Sequence, residues 1–494
     1  MQKSRVLILL WLAVTAAAAR PADRAGFEAF IDRARAVPAE FAADALIRLA
    51  ASDQAKPEQK LALLEEAFRR AAGAQQPLKK RSGTAARTGS AAFLDRAFAQ
   101  DLDANTLQCR AVRAMLPLDR KKARELFRDI PRPQLKRLTC DDGLVFDVSA
   151  YYETLGELAN SAFTPAEVAE DEPFKLVNGY VQGLQSAVEA VPVARLLTGA
   201  SLKPPQLGAL VMAFSAALKD LAGDDRSFSF TVSRAGRIGQ QVAALAARCA
   251  RLDISATPLL EGYRAYLVRH LGAARCADGA DQAMAFGRAA EPDEELAQDP
   301  VRYFNEKLRN EAVKAIAPDE AVPSKLEGAA GGLRSCEGQA CQQVAQLYRG
   351  LILGPDGLPY GADKKAGSEW QGKVKEYLAA LAEWKDDPVS TTAEYFQDKC
   401  RYYSDLFNLL SNGPDRVAAL RAFLDFLKLN SFQRESRIEW FLPVNSLVAR
   451  VSLDPLGLGD LLRDLRNAED PVISLYAALE QTVPRPPGSR LSIM

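Results

Sequence analysis

Apolar side chains recur along most of this chain at the spacing of an amphipathic helix. After Pro38, the residues Phe41, Ala45, Leu46 and Leu49 fall three or four positions apart. Proline is well tolerated in the first turn of a helix, so Pro38 suits its beginning. The pattern predicts a helix whose apolar face packs against a neighbouring element.

Three more segments repeat this pattern, each opening on residues that favour a helix N-terminus. They begin at Pro57, Asp119 and Pro414. Their apolar positions are Leu61, Leu64, Ala67, Phe68 and Ala71 in the first, Ala123, Leu126, Phe127 and Ile130 in the second, and Val417, Leu420, Phe423, Leu424 and Leu427 in the third. Gly73 is placed to end the first of these helices.

Alternation of apolar and polar residues, the pattern of a half-buried strand, is rare in this chain. Ser227–Val232 (SFSFTV) is the best strand candidate, and it is isolated. A lone strand cannot form a sheet, so we predict an all-α protein.

Short joints rich in Pro, Gly, Asp and Asn separate the helical segments, and helix pairs recur at roughly 30 to 40 residues. This spacing predicts stacked antiparallel helical hairpins. In its periodicity the chain loosely resembles a tetratricopeptide-type solenoid. Successive units do not align to that family's Trp, Gly, Tyr and Pro signature, so the resemblance implies no functional residue.

Three stretches have the composition of linkers and divide the chain into helical blocks. The linkers are a basic one at 77–90, an acidic one at 289–300 and a Gly/Pro-rich one at 354–367. The expected blocks are N-terminal helical hairpins at 20–76, a central helical array at 91–288, a helical segment at 301–353 and a C-terminal helical array at 368–485. We expect a disordered tail at 486–494.

The first 19 residues have the pattern of a signal peptide. Lys3 and Arg5 precede an apolar run from Val6 to Val14, and small residues at 16–19 suit cleavage after Ala19. The run is shorter than the roughly 20 residues that span a bilayer. We therefore expect an exported protein, periplasmic or secreted, without a membrane span after cleavage.

The charge balance removes one class of partner. Lys and Arg number 63 in the 494 residues, and Asp and Glu also number 63. A nucleic-acid binder needs a surplus of cations to displace phosphate counterions. We expect no nucleic-acid partner, and the cluster Lys79-Lys80-Arg81 is more typical of a solvated loop than of an anion-binding surface.

Export changes the interpretation of the seven cysteines, because thiols tend to pair in oxidising compartments. The spacing favours two bridges, each across the length of a helical hairpin, and a third reaching into the C-terminal array. The expected pairs are Cys109 with Cys140, Cys249 with Cys276, and Cys341 or Cys336 with Cys400. The alternative is that several of these cysteines are small buried apolar residues.

Common catalytic and cofactor motifs are missing. His270 is the only histidine, so sites with two histidine ligands are excluded, and any Ser-His-Asp chemistry would depend on it. Its position at the end of a predicted helix favours a cap or core role. The segment Gly367–Val374 nearly spells a phosphate-binding loop but lacks the final Ser or Thr. We predict no cofactor and no metal site.

One segment suggests an enzyme. Gln433–Arg437 (QRESR) resembles the Glu-Ser segment of soluble lytic transglycosylases, which are secreted enzymes with an α-superhelical body. The resemblance implies that Glu435 is the acid/base on a glycosidic bond, with Ser436 beside it. The runs that follow this pair in that family are absent here, and a solvated helix face is the alternative.

These observations lead to three functional hypotheses. The first is an exported helical-repeat scaffold that presents a concave surface to a protein or peptide partner. The second is a carbohydrate-active enzyme that uses Glu435. The third is a structural protein of the cell envelope with no discrete site.

Overall fold

The structure is a computed structural model that describes residues 21–82, 90–233, 236–277, 299–327, 338–354, 357–360, 367–385, 392–411, 413–430, 437–453 and 458–483. Helices dominate these residues, and four strands of two or three residues are the only sheet elements among them. The prediction of an all-α protein is confirmed. The predicted signal peptide, its cleavage site and the predicted tail lie outside the described residues.

The first fourteen helices are α1 (Pro21–Ala36), α2 (Ala39–Ala51), α3 (Pro57–Ala71), α4 (Ser90–Phe98), α5 (Ala104–Met115), α6 (Arg120–Asp129), α7 (Ser149–Ser161), α8 (Pro165–Ala169), α9 (Glu172–Val181), α10 (Ala190–Gly199), α11 (Pro204–Asp220), α12 (Asp225–Val232), α13 (Ile238–Arg251) and α14 (Thr257–Leu271). The others are α15 (Pro300–Tyr303), α16 (Gln339–Ile352), α17 (Ser368–Glu383), α18 (Thr392–Leu409), α19 (Pro414–Leu429), α20 (Arg437–Leu453), α21 (Gly459–Arg466) and α22 (Pro471–Thr482). The strands are β1 (Lys80–Arg81), β2 (Val145–Phe146), β3 (Ala274–Cys276) and β4 (Lys325–Glu327). Single turns of 3₁₀ helix lie at Ala187–Glu189 and Pro318–Ala321, and a π-helical turn at Phe304–Leu308.

Local chemistry explains where several helices begin. The Asp119 carboxylate accepts a hydrogen bond from Lys122 N and caps α6, as the sequence predicts. Asp103 and Asp470 cap α5 and α22 in the same way. The predicted helix at Pro57 begins there and ends at Ala71, close to Gly73.

The predicted strand candidate Ser227–Val232 is instead most of helix α12. Asp224 starts the helix by accepting a hydrogen bond from Ser227 N at 2.6 Å. Phe228 and Phe230 project in different directions from it, because residues two apart do not share a helix face. Both rings are buried, so an alternating pattern arises from a short helix that is covered on more than one side.

Helices of the N-terminal and central regions pack in two rows. In one row α2 packs on α3, α3 on α5, α5 on α7, α7 on α10 and α10 on α13. In the other, α9 packs on α11 and α11 on α14. Arg248 of α13 ties neighbours together by donating hydrogen bonds to the carbonyls of Leu197 and Thr198, both at 2.7 Å. Those carbonyls belong to the last turn of α10, which has no further helix to satisfy them.

The C-terminal helices return to the N-terminal ones. Helix α22 packs against α1 and α2, and α20 packs against α4. A charged stripe on α2 marks this contact, formed by Glu40, Asp44 and Arg48 at intervals of one turn. The pairs are Glu40 with Arg437 at 2.9 Å, Asp44 with Arg110 at 2.6 Å, and Arg48 with Glu480 at 2.9 Å. Positions more than 390 residues apart in the sequence are therefore joined.

Asp44 is the centre of this stripe. Its side chain also accepts a hydrogen bond from the Tyr476 hydroxyl at 2.6 Å, and Tyr476 is buried. Burial alone would raise the pKa of the Asp44 carboxyl, but Arg110 and Arg48 beside it bring the pKa below its ordinary value. The carboxylate is therefore charged in the folded protein and depends on its cationic neighbours.

A buried lysine lies in the C-terminal region. Lys399 donates hydrogen bonds to the carbonyl of Trp384 at 2.5 Å and to the Tyr395 hydroxyl at 3.1 Å, and its ammonium lies 4.8 Å from the centre of the Phe426 ring. Trp384 follows α17, so the ammonium neutralises the negative end of that helix. Burial lowers the pKa of Lys399 to about 8.

The predicted basic linker begins with packed structure. Strand β1 pairs antiparallel with β2, with Lys80 opposite Phe146 and Arg81 opposite Val145. Lys79 pairs with Asp101 at 2.5 Å, and the Arg81 guanidinium lies 4.3 Å from the centre of the Phe230 ring. The cations at 79–81 are thus partly buried and partnered instead of solvated, while residues 83–89 lie outside the described part.

Among the residues described, no helix is long and apolar enough to cross a bilayer.

Candidate functional site

A row of small elements runs beside the helical rows and is the best candidate for a functional surface. Helix α4 contacts β1, β1 pairs with β2, and β2 contacts α12. Helix α12 in turn contacts β3, which pairs in parallel with β4. We call α4, β1, β2, α12, β3 and β4 the inner row. It joins segments from five distant parts of the sequence and has α12 near its centre.

Two adjacent carboxylates hold α12 in place. Asp224 accepts hydrogen bonds from the backbone N–H groups of Ser227 and Leu138, the second at 3.0 Å. Asp225 accepts from the backbone N–H of Cys276 at 3.0 Å and from Arg275 Nε at 3.3 Å. Backbone donors of two other segments therefore converge on the start of one short helix.

A disulfide joins the same segments, and it differs from the predicted bridges. Cys140 is bonded to Cys276, 136 residues away. Arg226 of α12 donates a hydrogen bond to the carbonyl of Cys140. The bridge thus ties the loop before β2 to strand β3 across α12.

The predicted pairs Cys109–Cys140 and Cys249–Cys276 are wrong. Cys109 lies in α5 and Cys249 in α13, and both are fully buried thiols. Burial raises the pKa of the Cys109 thiol to about 12, so it is protonated and unreactive. Both side chains face the helical core, whereas their predicted partners are bonded to each other, Cys140 in the loop before β2 and Cys276 in strand β3.

The third predicted bridge is also wrong for Cys341. Cys341 is disulfide-bonded, but Cys400 is a buried thiol. Cys336, the other predicted disulfide partner of Cys400, lies outside the described residues. The interpretation of buried apolar cysteines therefore applies to Cys109, Cys249 and Cys400.

His270 occupies the core beneath α12. Its ring stacks on Phe228, with ring centres 4.9 Å apart and planes 9° apart, and only 6% of the residue is exposed. Burial, with the nearby charge of Arg269, lowers the pKa of His270 to about 4. The imidazole is therefore neutral at ordinary pH, which favours the core alternative over a cationic helix cap.

A catalytic triad does not form around His270 in the part of the chain described. His270 Nε2 and Ser227 Oγ are both buried and have no hydrogen-bond partner there. The Asp224 carboxylate is engaged with two backbone N–H groups instead of orienting the imidazole. Proton transfer through this histidine would need a partner that these residues do not supply.

The candidate acid Glu435 lies outside the described residues, as does Ser436. The next described residue is Arg437, which opens α20 and pairs with the fully buried Glu40. The segment is thus followed directly by the contact between the N-terminal and C-terminal helices.

In the described ranges, no group of three or more His, Cys, Asp or Glu side chains is placed to hold a metal ion. The Gly367 segment caps α17, and Lys373 donates a hydrogen bond to the Tyr360 hydroxyl at 2.6 Å. The Lys373 ammonium is therefore held by the nearby side chain of Tyr360.

Comparison with known protein families, with curated proteins and with solved structures finds no match for this chain.

Sequence reasoning missed two features. The stripe Glu40, Asp44 and Arg48 has the one-turn spacing of a helix face, which could have been noticed, but its partners cannot be identified without the fold. The inner row depends on contacts between short segments far apart in sequence. Only the pair Asp224-Asp225 before SFSFTV was a local signal, because an acidic residue before an apolar run favours a helix start.

Proposed function

We propose that this protein is an exported helical-repeat scaffold, loosely tetratricopeptide-like, which presents a concave surface to a protein or peptide partner. The observation that carries the proposal is that eleven helices pack in a row whose two ends are connected by a short stretch of chain. In this proposal the partner surface is the part of the inner row beside α12 and the disulfide, without strand β4.

The helices follow one another in space in an order that differs from the sequence. Eleven of them pack successively in the order α16, α17, α19, α20, α22, α2, α3, α5, α7, α10 and α13. Packed helices lie about 9 Å apart, so a straight row of eleven would be about 90 Å long.

The length of chain between the two ends of the row argues against a straight row. Strand β4 follows α14, which packs beside α13 at one end, and α16 at the other end begins at Gln339. The connection from 327 to 338 has eleven Cα steps and spans at most about 40 Å. The short connection favours a row that bends, and a bent row of helices has a concave side, which supports the proposed partner surface.

The disulfide supports the exported location. Disulfides persist in oxidising compartments and are rare in reducing ones. The Cys140–Cys276 bond fits the destination that the first 19 residues predict. The mass of the exported protein, compared with the mass expected after cleavage behind Ala19, tests this part of the proposal.

Site-specific photo-crosslinking tests the partner surface. Gly143 lies in the loop next to the disulfide, is exposed, and has nothing within 4 Å of an added Cβ. Gly179 of α9 is equally exposed and equally open, so it is the matched control. We expect a photoreactive residue at 143 to capture a discrete partner in the native compartment and one at 179 not to do so. Equal labelling at both positions would contradict the proposal.

A peptidoglycan digestion assay with the same protein distinguishes the enzyme hypothesis from the other two hypotheses. Release of soluble fragments from purified peptidoglycan, lost in Glu435→Gln, would favour the carbohydrate-active enzyme. Absence of release together with a partner captured at 143 supports the scaffold, and absence of both favours the structural envelope protein.

A further inference from the structure

Strand β4 is an edge strand among the residues that the structure describes. Lys325, Leu326 and Glu327 pair in parallel with β3 on one side, and the described residues place no strand on the other side. All three residues are exposed, and Leu326 is 65% exposed although it is apolar. Edge strands with free backbone groups readily pair with another strand, and natural proteins usually protect them.

We propose that β4 pairs with β4 of a second copy of this chain. The two strands run antiparallel around a two-fold axis, with Leu326 opposite Leu326. Each two-stranded sheet then becomes half of a four-stranded sheet, β3-β4-β4-β3, across the dimer. This inference does not depend on the proposed function.

The order of charges identifies a second copy as the occupant. In an antiparallel pair centred on Leu326, Lys325 of each strand lies opposite Glu327 of the other. The tripeptide Lys-Leu-Glu is therefore its own electrostatic complement. A closed two-fold interface requires this self-complementarity, because the same patch must fit itself.

The side chains have the arrangement that this register needs. Successive side chains of a strand point to opposite faces, so Lys325 and Glu327 share one face and Leu326 lies on the other. Lys325 Nζ is 3.8 Å from Glu327 Oε1 within one chain, in agreement with a shared face. Pairing would create a group of four alternating charges on one face and a Leu–Leu contact on the other.

The strand is also held to the body of the protein. Its partner β3 contains Cys276, which is bonded to Cys140, and Cys276 N is fixed by Asp225. Val322, four residues before Leu326, is 62% exposed and adds apolar surface on the approach to the strand.

A short strand buries little area, so we expect a weak dimer whose population rises with protein concentration and falls with salt.

Charge-reversal variants test the register. Sedimentation velocity on the full mature chain at low ionic strength should show concentration-dependent dimers. Lys325→Glu and Glu327→Lys each place like charges opposite one another, so each should weaken self-association at least tenfold. Mixed together, the two variants should form heterodimers, because every cross-strand charge pair is again Glu with Lys. The double variant should regain self-association.

Lys121→Glu provides the charge-matched control, since Lys121 is exposed on α6, and it should leave association unchanged. Far-ultraviolet circular dichroism confirms that each variant is folded. The proposal is overturned if the wild-type chain stays monomeric throughout the accessible concentration range. It is equally overturned if single reversals associate as the wild type does, or if the mixture fails to associate.

Discussion

The buried carboxylate of Asp44 should be essential for the stability of the three helices that meet around it, α2, α5 and α22. Asp44→Asn removes the negative charge and leaves Arg110 without its 2.6 Å partner, while the Tyr476 hydroxyl keeps an oxygen acceptor. Removing one member of a buried ion pair costs about 3–5 kcal/mol. The Arg110 side chain is 22% exposed, so we expect the lower end of that range, about 3 kcal/mol.

Urea denaturation measures the loss in the free energy of unfolding. Hydrogen exchange in α2 and α22 shows whether the loss occurs at these helices. Asp32→Asn is the control, because Asp32 is 75% exposed in an i,i+3 pair whose loss costs at most about 0.5 kcal/mol. Combining Asp44→Asn with Arg110→Met removes the whole pair, so most of the stability should return. A loss below about 0.5 kcal/mol for Asp44→Asn, or no recovery in the double variant, would refute the reasoning.

Three further predictions concern single groups. His270 gives the only imidazole signals in the spectrum, and nuclear magnetic resonance should find its pKa near 4. Since its unfolded pKa is about 6.5, protonation of His270 should by itself lower the stability by about 3 kcal/mol as pH drops from 6.5 to 4, and this part of the loss should be absent in His270→Phe. Cys140→Ala opens a 136-residue loop and should lower the free energy of unfolding by about 5 kcal/mol in denaturant titrations, and reductant should destabilise this variant less than the wild-type chain. Because Lys399 has a pKa of about 8 when folded and about 10.5 when unfolded, stability should rise with pH between these values, and Lys399→Met should flatten that rise.

The helices were predictable where one apolar face and a clear N-terminal residue coincide. Asp119 caps α6 and its predicted apolar positions Ala123 and Phe127 are buried, because helix periodicity and capping are local properties of the sequence. The segment Ser227–Val232 defeated the same reasoning. Its phenylalanines are buried on different sides of one short helix, and only the tertiary neighbours reveal that.

The candidate site was less predictable than the fold. Spacing suggested disulfides across helical hairpins. Cys140 of the loop before β2 instead meets Cys276 of strand β3 beside α12, and the positions of loops and short strands do not follow from helix periodicity. The stripe on α2 reads as an ordinary polar face until Arg437 and Glu480 are brought against it from the other end of the chain. Long-range pairs of this kind carry no local signal.

The return of the C-terminal helices to the N-terminal ones is tested most directly by a distance between α1 and α22. Nitroxide labels at Asp32 and Gln481, both exposed, can be measured by pulsed electron resonance on the folded chain. Packed helices have axes 8–10 Å apart and diameters of about 10–12 Å, so we predict one narrow distribution with its maximum below about 30 Å. A broad distribution centred beyond about 50 Å, wider than any two packed helices allow, would contradict the account.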